Sequence, residues 1–501
     1  MTPKKSWISL AVAGTSLVVV GGLMVANTDV SNTSSSTIAD EETAEVDVST
    51  VETASLATSA FWDSSQTHSI SLSYDDADYD AMIETYLATG DKEWITATVV
   101  IDGTTFEDVG LKLKGNSSLR GLSTDADAEL STEDPASLPW IINLDKFVDD
   151  QDYDGATEIV VRGNSTETAL NEALALELLE ASGLAAEQAV AVEFEVDGES
   201  SLRLVIENPN NSWADREFEN ADALYKAESG GDYSYLGDDP SAYDEVFDQE
   251  AGDDDLVPLM AFLQFINESD DETFAVELDQ WLDVDSFATY LAFQELVGNF
   301  DDIDGPGNNS YLAYDGDTGL MTVASWDLNL SFGVTNNDAA GAGQAAGQVR
   351  GEESAQLGVG EMPSGVAGQA SEGGSPPPFA ADASGALPGS DTDELPAEGE
   401  LPEPPAGEAD QVARGAVGAA AGGGAQGSNI LSERFLENAE FSAAYEAELD
   451  RLSELLFTSG LAQSALDEWS EVLIVDASGL VSSAVVDEEA ASVVQSFPLA
   501  S

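Results

Sequence analysis

Acidic side chains, amides and glycines are concentrated in residues 296–333, where they lie between two apolar segments. The first part, 299–309, contains three aspartates, three asparagines and the breakers Gly-Pro-Gly, a composition that predicts a loop. Strands are expected at 311–314 and 320–325, because the DGDTG segment between them is typical of a hairpin turn. The second strand leads into Asp327, so the hairpin should bring the acidic loop and this carboxylate together at its open end.

Carboxylate and amide oxygens are the ligands that a hard cation prefers, and Mg²⁺ is typically held by one or two carboxylates together with substrate phosphates. Phosphoryl transfer needs little beyond such a site, because one aspartate orients the attacking hydroxyl while positive charges neutralise the phosphates. The other interpretations of the loop are a surface calcium site and a simple acidic turn. An EF-hand is disfavoured, since no frame in this stretch has the required spacing of glycine and glutamate.

Four separate pieces of the chain resemble, in this order, motifs of the spore coat protein H (CotH) kinase family: LKLKGNSS at 111–118, LYK at 224–226, NSYL at 309–312 and WDLN at 326–329. The resemblance spans about 69–333 and resumes from 428 to about 473. It implies an atypical α+β fold similar to that of protein kinases, with two lobes, a strand-rich N-lobe and a helical C-lobe. It also implies transfer of the γ-phosphate of ATP to Ser or Thr of protein substrates, with Mg²⁺, or alternatively Mn²⁺ or Ca²⁺, as the metal.

By this resemblance the catalytic base lies in the acidic loop. Asp301 matches the family pattern better, whereas Asp304 stands nearer the two amides, so both are candidates. Asp327 and Asn309 are then the expected metal ligands. Asn329 is a third candidate ligand, although family members often have an aspartate at its position and an asparagine brings less charge.

The nucleotide is expected near the polar glycine segment that follows 106–113, where backbone N–H groups can cradle phosphates. The candidate contacts are Lys112, Lys114, Gly115, Ser117 and Lys226, with Lys146 as a further candidate lysine. Family members often carry lysines where this chain has SLPW at 137–140, so the sequence does not choose among these lysines. A glutamate on the following helix, Glu172 or Glu177, would pair with the nucleotide lysine.

Hydrophobic periodicity predicts the elements that position these residues. Strands are expected at 68–74, 94–101, 106–113, 140–144, 157–162, 189–196 and 201–206, and helices at 76–87 and 167–182. From 255 onward the pattern is helical, at 256–266, 271–278, 284–296, 430–436, 441–457 and 462–473. A strand-rich half followed by a helical half predicts a two-lobed α+β domain with its site in the cleft between the lobes.

Composition divides the chain into a signal peptide or anchor at 1–26, a disordered acidic spacer at 27–60, the kinase-like domain at 61–336, a low-complexity disordered insertion at 337–428, further helices of the domain at 429–475 and a tail at 476–501. Within the domain, the N-lobe is expected to end at about 225. The leader predicts an exported protein, extracellular or at the cell surface. Contact with a membrane is expected only if the leader stays uncleaved.

The net charge restricts the partners of the chain. It has 97 acidic and 15 basic side chains, for a formal net charge of −82, and salt would screen the resulting self-repulsion, so a halophilic protein is expected. Nucleic acid and anionic membrane surfaces are disfavoured, whereas cations and basic proteins are not. Cysteine is absent and His68 is the only histidine, so hydrolases with a Ser-His or Cys-His pair and histidine-ligated zinc enzymes are disfavoured.

Two alternatives to a kinase remain open: a non-catalytic, calcium-binding module of a cell surface or coat, and a pseudokinase. Nucleotide binding separates the first alternative from an enzyme. A calcium module should not be stabilised by ATP, whereas an enzyme should bind ATP together with a divalent metal.

Overall fold

The structure is a computed structural model that describes residues 60–115, 117–125, 130–218, 220–228, 232–305, 308–335 and 429–498. The expected leader and the insertion at 337–428 lie outside these residues, and so does the spacer apart from its last residue. Among the helices of the described ranges, none is long and apolar enough to cross a membrane.

The first half of the described chain forms a closed barrel of seven strands. The strands are β1 (His68–Tyr74), β2 (Ile95–Ile101), β3 (Thr104–Leu113), β4 (Trp140–Asn143), β5 (Glu158–Val161), β6 (Ala189–Val196) and β7 (Glu199–Glu207). Their order is β1-β2-β3-β4-β5-β7-β6, and neighbours are antiparallel except for the parallel pair of β1 with β6 that closes the barrel. Closure leaves no sheet edge to attract another chain.

Alternating sequence patterns account for the barrel. Inward positions are aliphatic or aromatic and fully buried, as at Val99, Val109, Leu111, Trp140 and Phe194. The β2–β3 turn at Asp102 and Gly103 has positive φ angles of 48° and 80°, the geometry that two-residue hairpins favour. The predicted strands of this half are confirmed, with boundaries that shift by a few residues.

Two helices accompany the barrel strands: α1 (Asp76–Thr89) and α2 (Leu170–Ser182). The carboxylate of Asp75 caps α1 by accepting a hydrogen bond from the backbone of Ala77. Helix α2 is buried on nearly every side and ends at Gly183, whose φ of 85° gives the left-handed cap expected from glycine. Because most of α2 is enclosed, a charged residue on its buried faces must find a partner inside the protein.

The second half contains a four-stranded antiparallel sheet surrounded by helices. The strands β8 (Ala223–Ala227), β9 (Phe247–Gly252), β10 (Ser310–Asp315) and β11 (Leu320–Ser325) are ordered β11-β10-β8-β9. The helices are α3 (Asn211–Glu217), α4 (Val257–Glu268), α5 (Asp271–Glu277), α6 (Val284–Val297), α7 (Ile430–Glu437), α8 (Ala439–Leu452), α9 (Leu461–Asp476) and α10 (Ser483–Gln495).

The helices that follow the predicted insertion belong to the same core as the rest of the domain. Helix α8 packs on α6, and α9 and α10 pack on α2. One hydrophobic cluster contains α2, parts of both sheets and these C-terminal helices.

The mixed α and β composition and the β10–β11 hairpin are confirmed. The strand-rich half differs from expectation because its first and last strands pair and close a barrel, a long-range contact that periodicity does not report. Strands β8 and β9, with helix α3, were not foreseen as elements. The kinase-like two-lobe arrangement stays a prediction.

Candidate functional site

The candidate site is built on the open end of the β10–β11 hairpin. Ser310 pairs with Ser325, so the next positions, Asn309 and Trp326, face each other. Asp327 follows at once with left-handed backbone angles, φ 60° and ψ 59°, which are uncommon for a residue with a side chain. As predicted, the hairpin brings the end of the acidic loop close to Asp327.

Arg162 connects Asp327 to helix α2. It directly follows β5, and its guanidinium forms ion pairs with Asp327 and with Glu172, where Arg162 Nε lies 2.8 Å from Oε1 of the glutamate. The side chains of Arg162 and Glu172 are only 12% and 2% exposed. Burial by itself would lower the pKa of Arg162, but the two carboxylates raise it, so the guanidinium stays charged. We call these three residues the Arg162 corner; together they carry one surplus negative charge.

Lys114 reaches the Arg162 corner from the end of β3. Its Nζ donates to Oδ1 of Asn208 over 3.1 Å and lies 5.4 Å from the centroid of the Trp326 ring. Arg162 approaches the same ring, at 5.9 Å. Burial, reinforced by the nearby charge of Lys226, lowers the pKa of Lys114 to about 8. Because its hydrogen-bond partner is an amide, this half-buried ammonium retains the capacity to bind an anion such as a phosphate.

Lys226 connects the region of Lys114 to the acidic loop. It lies on β8 opposite Tyr311 of β10, and its ammonium forms an ion pair with Glu228. The backbone oxygen of Glu228 is in turn 3.5 Å from Nδ2 of Asn308. The structure therefore brings together Lys114, Lys226 and the end of the acidic loop, three features that are far apart in the sequence.

The acidic loop, residues 299–309, is held by hydrogen bonds to its own backbone. Nδ2 of Asn309 donates to the backbone oxygen of Asp301 over 2.8 Å. The backbone N–H of Asn309 donates to the backbone oxygen of Asp302 over 3.2 Å. Gly305 packs against the start of the loop so closely that an added Cβ would lie 2.4 Å from Cα of Asp301. These contacts place Asp301 beside Asn309.

The other two aspartates of the loop have contacts that shape the backbone. Oδ1 of Asp302 accepts from the backbone N–H of Asp304 over 2.9 Å, and burial raises the pKa of Asp302 to about 7. Oδ1 of Asp304 accepts from the backbone N–H of Asn429 over 2.7 Å, at the start of α7. Asp304 is thus directed towards α7, whereas Asp301 adjoins the predicted metal ligand Asn309.

The donors around Asp327 fit a hard cation. Nδ2 of Asn309 is used within the acidic loop, and Nδ2 of Asn329 donates to Oγ of Ser165 over 2.9 Å, which leaves both amide oxygens as acceptors. Within the described residues, no three acidic or histidine side chains form a ready metal cluster. One carboxylate and two amide oxygens are ligand types that Mg²⁺ uses together with substrate phosphates.

The chain turns at the glycine segment after β3. Gly115 has a φ of 92°, and a Cβ at this position would lie 2.0 Å from Oγ of Ser118. Ser117 begins a short 3₁₀ turn, Ser117–Leu119, immediately after. Glycine is therefore required to turn the chain just after Lys114.

Three further candidates lie away from the Arg162 corner. Lys112 has its Nζ 4.4 Å from the centroid of the Trp94 ring, and Lys146 approaches the same ring at 4.8 Å. Glu177 accepts a hydrogen bond from Nε1 of Trp469 over 2.7 Å. Of the two candidate glutamates, Glu172 is thus the one at the corner.

Sequence reasoning missed Arg162, the central cation of the corner. The partner expected for Glu172 was a lysine, but the structure provides an arginine. The available signal was its position, a basic residue ending an apolar strand in a chain with few basic residues. Glu187 was missed as well: it is 4% exposed, and burial raises its pKa to about 8, with the charges of Glu207 and Glu172 adding to the effect.

Comparison with known proteins identifies this region. A family model described as CotH kinase protein matches residues 111–365. The matched segment contains the lysines of β3, the Arg162 corner and the acidic loop. No curated protein matches the chain.

Proposed function

Because the chain belongs to the CotH kinase family, we propose that it is an exported kinase that transfers the γ-phosphate of ATP to Ser or Thr of other proteins. The observation that supports this best is the convergence of Lys114, Asp327 and the Arg162–Glu172 pair at the open end of one hairpin. Lys114, Arg162 and Asp327 follow β3, β5 and β11, and Glu172 lies on α2, so the fold itself assembles these groups. Export rests on the leader at 1–26.

The cationic side chains supply phosphate binding. Lys114 lies at the corner with an amide as its partner, and Lys226 lies close enough to lower the pKa of Lys114. A bound phosphate would raise the pKa of Lys114 again, because a nearby negative charge favours the ammonium form. ATP affinity should therefore weaken as the pH rises above about 8, where Lys114 loses its proton.

The oxygen donors supply metal binding. ATP would bring the transferred phosphoryl group and a divalent cation that neutralises its charge. Asp327, with the amide oxygens of Asn309 and Asn329, would hold that cation. Arg162 fixes the carboxylate of Asp327, and Glu172 fixes Arg162, so this pair positions the ligand.

Asp301 is the aspartate that we assign as the base. It lies beside Asn309, at the end of the loop that faces Asp327. Asp304 is less suited, because one of its carboxylate oxygens already accepts a hydrogen bond from the start of α7. Under this assignment Asp301 accepts the proton of the substrate hydroxyl, and the lysines stabilise the negative charge on the phosphates.

We assign the two proposed lobes to the two strand-built parts of the structure. The barrel side contributes Lys114 and Arg162, and the side of the second sheet contributes Lys226, Asp301 and Asp327. A nucleotide bound between them would contact both parts, which is the relation that two kinase lobes have to ATP.

The test is phosphate transfer from labelled ATP by the chain without residues 1–26, in high salt with Mg²⁺ or Mn²⁺. Asp327→Asn should reduce transfer by about 10²-fold or more, because it removes the charged metal ligand. Asp317→Asn is the matched control: it makes the same change at the exposed turn of the same hairpin, and it should leave transfer unaltered.

Three outcomes would contradict the proposal. Transfer that persists in Asp327→Asn would exclude the assigned site. Binding of ATP without transfer under either metal would identify a pseudokinase. Stabilisation by Ca²⁺ alone, without any thermal shift from ATP, would identify a calcium-binding module.

A further inference from the structure

The lysines of this chain are distributed unevenly. Seven occur among 501 residues, two of them at positions 4 and 5. The other five, from separate segments, form one neighbourhood in which each influences the charge of another: Lys92, Lys112, Lys114, Lys146 and Lys226. In a chain with 97 acidic side chains, these five lysines thus lie close enough to repel one another.

Trp94, Lys112 and Lys146 form a surface at the outer end of this neighbourhood. We call this surface the Trp94 face. Both ammonium groups lie over the indole ring, 4.4 and 4.8 Å from its centroid. Gly110 lies beneath, and an added Cβ there would be 2.6 Å from Cβ of Lys146 and 3.1 Å from the Trp94 ring. Any other residue at 110 would displace the lysine from the ring, so the surface depends on this glycine.

The Trp94 face is accessible and continuous with the proposed site. Lys146 is exposed, and Trp94 and Lys112 are half-buried. Positions 110, 112 and 114 share one face of β3, so the distance from Gly110 to Lys114 is about 13 Å, or roughly four residues of extended chain. A peptide lying along this row would run from the Trp94 face to the Arg162 corner.

Carboxylates also lie near this row. Glu158 and Glu250 both favour the charged forms of Lys112 and Lys114, and Glu228 forms its ion pair with Lys226. Within the described residues, Lys112 and Lys146 approach the indole and form no ion pair with a carboxylate. Both ammonium groups of the Trp94 face can therefore form ion pairs with a partner.

We propose that the Trp94 face binds an acidic segment of the protein substrate, about four residues from the Ser or Thr that is phosphorylated. Carboxylates would contact the ammonium groups of Lys112 and Lys146, and the peptide backbone would cover the indole. The rest of the surface repels acidic chains, so this face also determines where such a substrate docks. The inference rests on the proposed kinase function for the role of the peptide, but the binding itself does not require catalysis.

The first test is binding without ATP, measured by fluorescence anisotropy of a labelled peptide that carries a serine and an acidic run. A peptide with glutamines in place of the acids is the comparison. The full chain should prefer the acidic peptide by about tenfold or more, and the preference should decrease from about 0.15 M to 1 M salt as the charges are screened. Equal binding of the two peptides would overturn the proposal.

The second test uses the double variant Lys112→Gln, Lys146→Gln. Its matched control is Arg120→Gln, Arg451→Gln, which removes the same charge from exposed positions elsewhere. The lysine variant should raise the Kd and the KM of the acidic peptide by about tenfold, with kcat and the KM of ATP unchanged, and the control should change neither. A rise in the KM of ATP instead would assign these lysines to the nucleotide and overturn the proposal.

The Asp327→Asn variant separates the two proposals. It should bind the acidic peptide as the unaltered chain does, because Asp327 lies outside the Trp94 face. Acidic-peptide binding in a chain that shows no transfer would uphold docking and reject the kinase activity. Transfer without any preference for acidic peptides would reject docking and uphold the kinase activity.

Discussion

The acidic loop and the Arg162 corner use their carboxylates in opposite ways. In the loop, Asp302 and Asp304 accept hydrogen bonds from nearby backbone N–H groups. At the corner, Asp327 and Glu172 share one buried guanidinium that comes from a different part of the chain. The loop carboxylates thus accept hydrogen bonds from the backbone, one of them from a residue 125 positions away, whereas the corner is held by ion pairs with a single arginine.

This difference has an energetic consequence. A hydrogen bond from a backbone N–H to a carboxylate contributes only a modest net amount to the free energy of unfolding. A buried ion pair contributes little net stability when complete, but loss of one partner leaves a charge without solvation. The corner should therefore be far more sensitive to substitution than the loop, although both are rich in acids.

Arg162→Ala is the substitution with the largest expected effect. It removes the cation between two carboxylates, one of them only 2% exposed, and should lower the free energy of unfolding by about 3–5 kcal/mol. The measurement is the urea midpoint at constant salt. Arg451→Ala is the control: this arginine is 45% exposed and paired with Glu448 on the same helix, so its loss should cost about 0.5 kcal/mol or less.

A double variant tests whether the uncompensated charge is the cause. Arg162→Leu combined with Glu172→Leu removes the buried cation and the buried anion together, and Asp327, at 25% exposure, can turn to solvent. This variant should be more stable than Arg162→Leu alone. If the second substitution adds further destabilisation, then packing rather than charge explains the sensitivity of the corner.

Glu187 provides a second test, through pH. Its Oε2 has no hydrogen-bond partner among the described residues, and burial raises its pKa to about 8, well above the ordinary 4.5. The folded state therefore holds this proton more tightly than the unfolded state. Between pH 4.5 and about 8 unfolding releases the proton, so stability falls as the pH rises through this range.

Glu187→Gln removes this titration and should stabilise the protein at pH 8 relative to pH 5, by on the order of 3 kcal/mol in the difference between variant and unaltered chain. The measurement is the urea midpoint of both proteins at each pH. Glu180→Gln, an exposed change at the end of α2, is the control and should show no such pH dependence. A difference that is the same at both pH values would show that Glu187 is ionised in the folded state.

Features that depend on local sequence could be predicted before the structure was known. The acidic loop, the hairpin and most helices follow from local composition and periodicity, and they were foreseen within a few residues. Asp327 and Lys114 were recognised because each lies in a short motif. The structure places both at the site, and their catalytic roles stay predictions.

The remaining features depend on contacts between distant residues. Barrel closure requires β1 to pair with β6, and neither strand carries a sign of its partner. Arg162 and Glu187 are single residues in ordinary surroundings, and only the position of α2 between the barrel and the C-terminal helices reveals that they are buried. Glu172 was proposed as a site residue because of the helix on which it lies, but no local pattern identifies Arg162 as its partner.

Of these substitutions, Asp304→Ala should have the smallest effect on the free energy of unfolding. It removes the hydrogen bond to the backbone of Asn429 and should cost about 1 kcal/mol, while phosphate transfer is retained. Asp301→Asn should instead abolish transfer, because an amide cannot accept the proton of the substrate hydroxyl. If Asp304→Ala abolishes transfer and Asp301→Asn does not, the base is Asp304, and its contact with α7 then couples the base directly to the helices that follow the insertion.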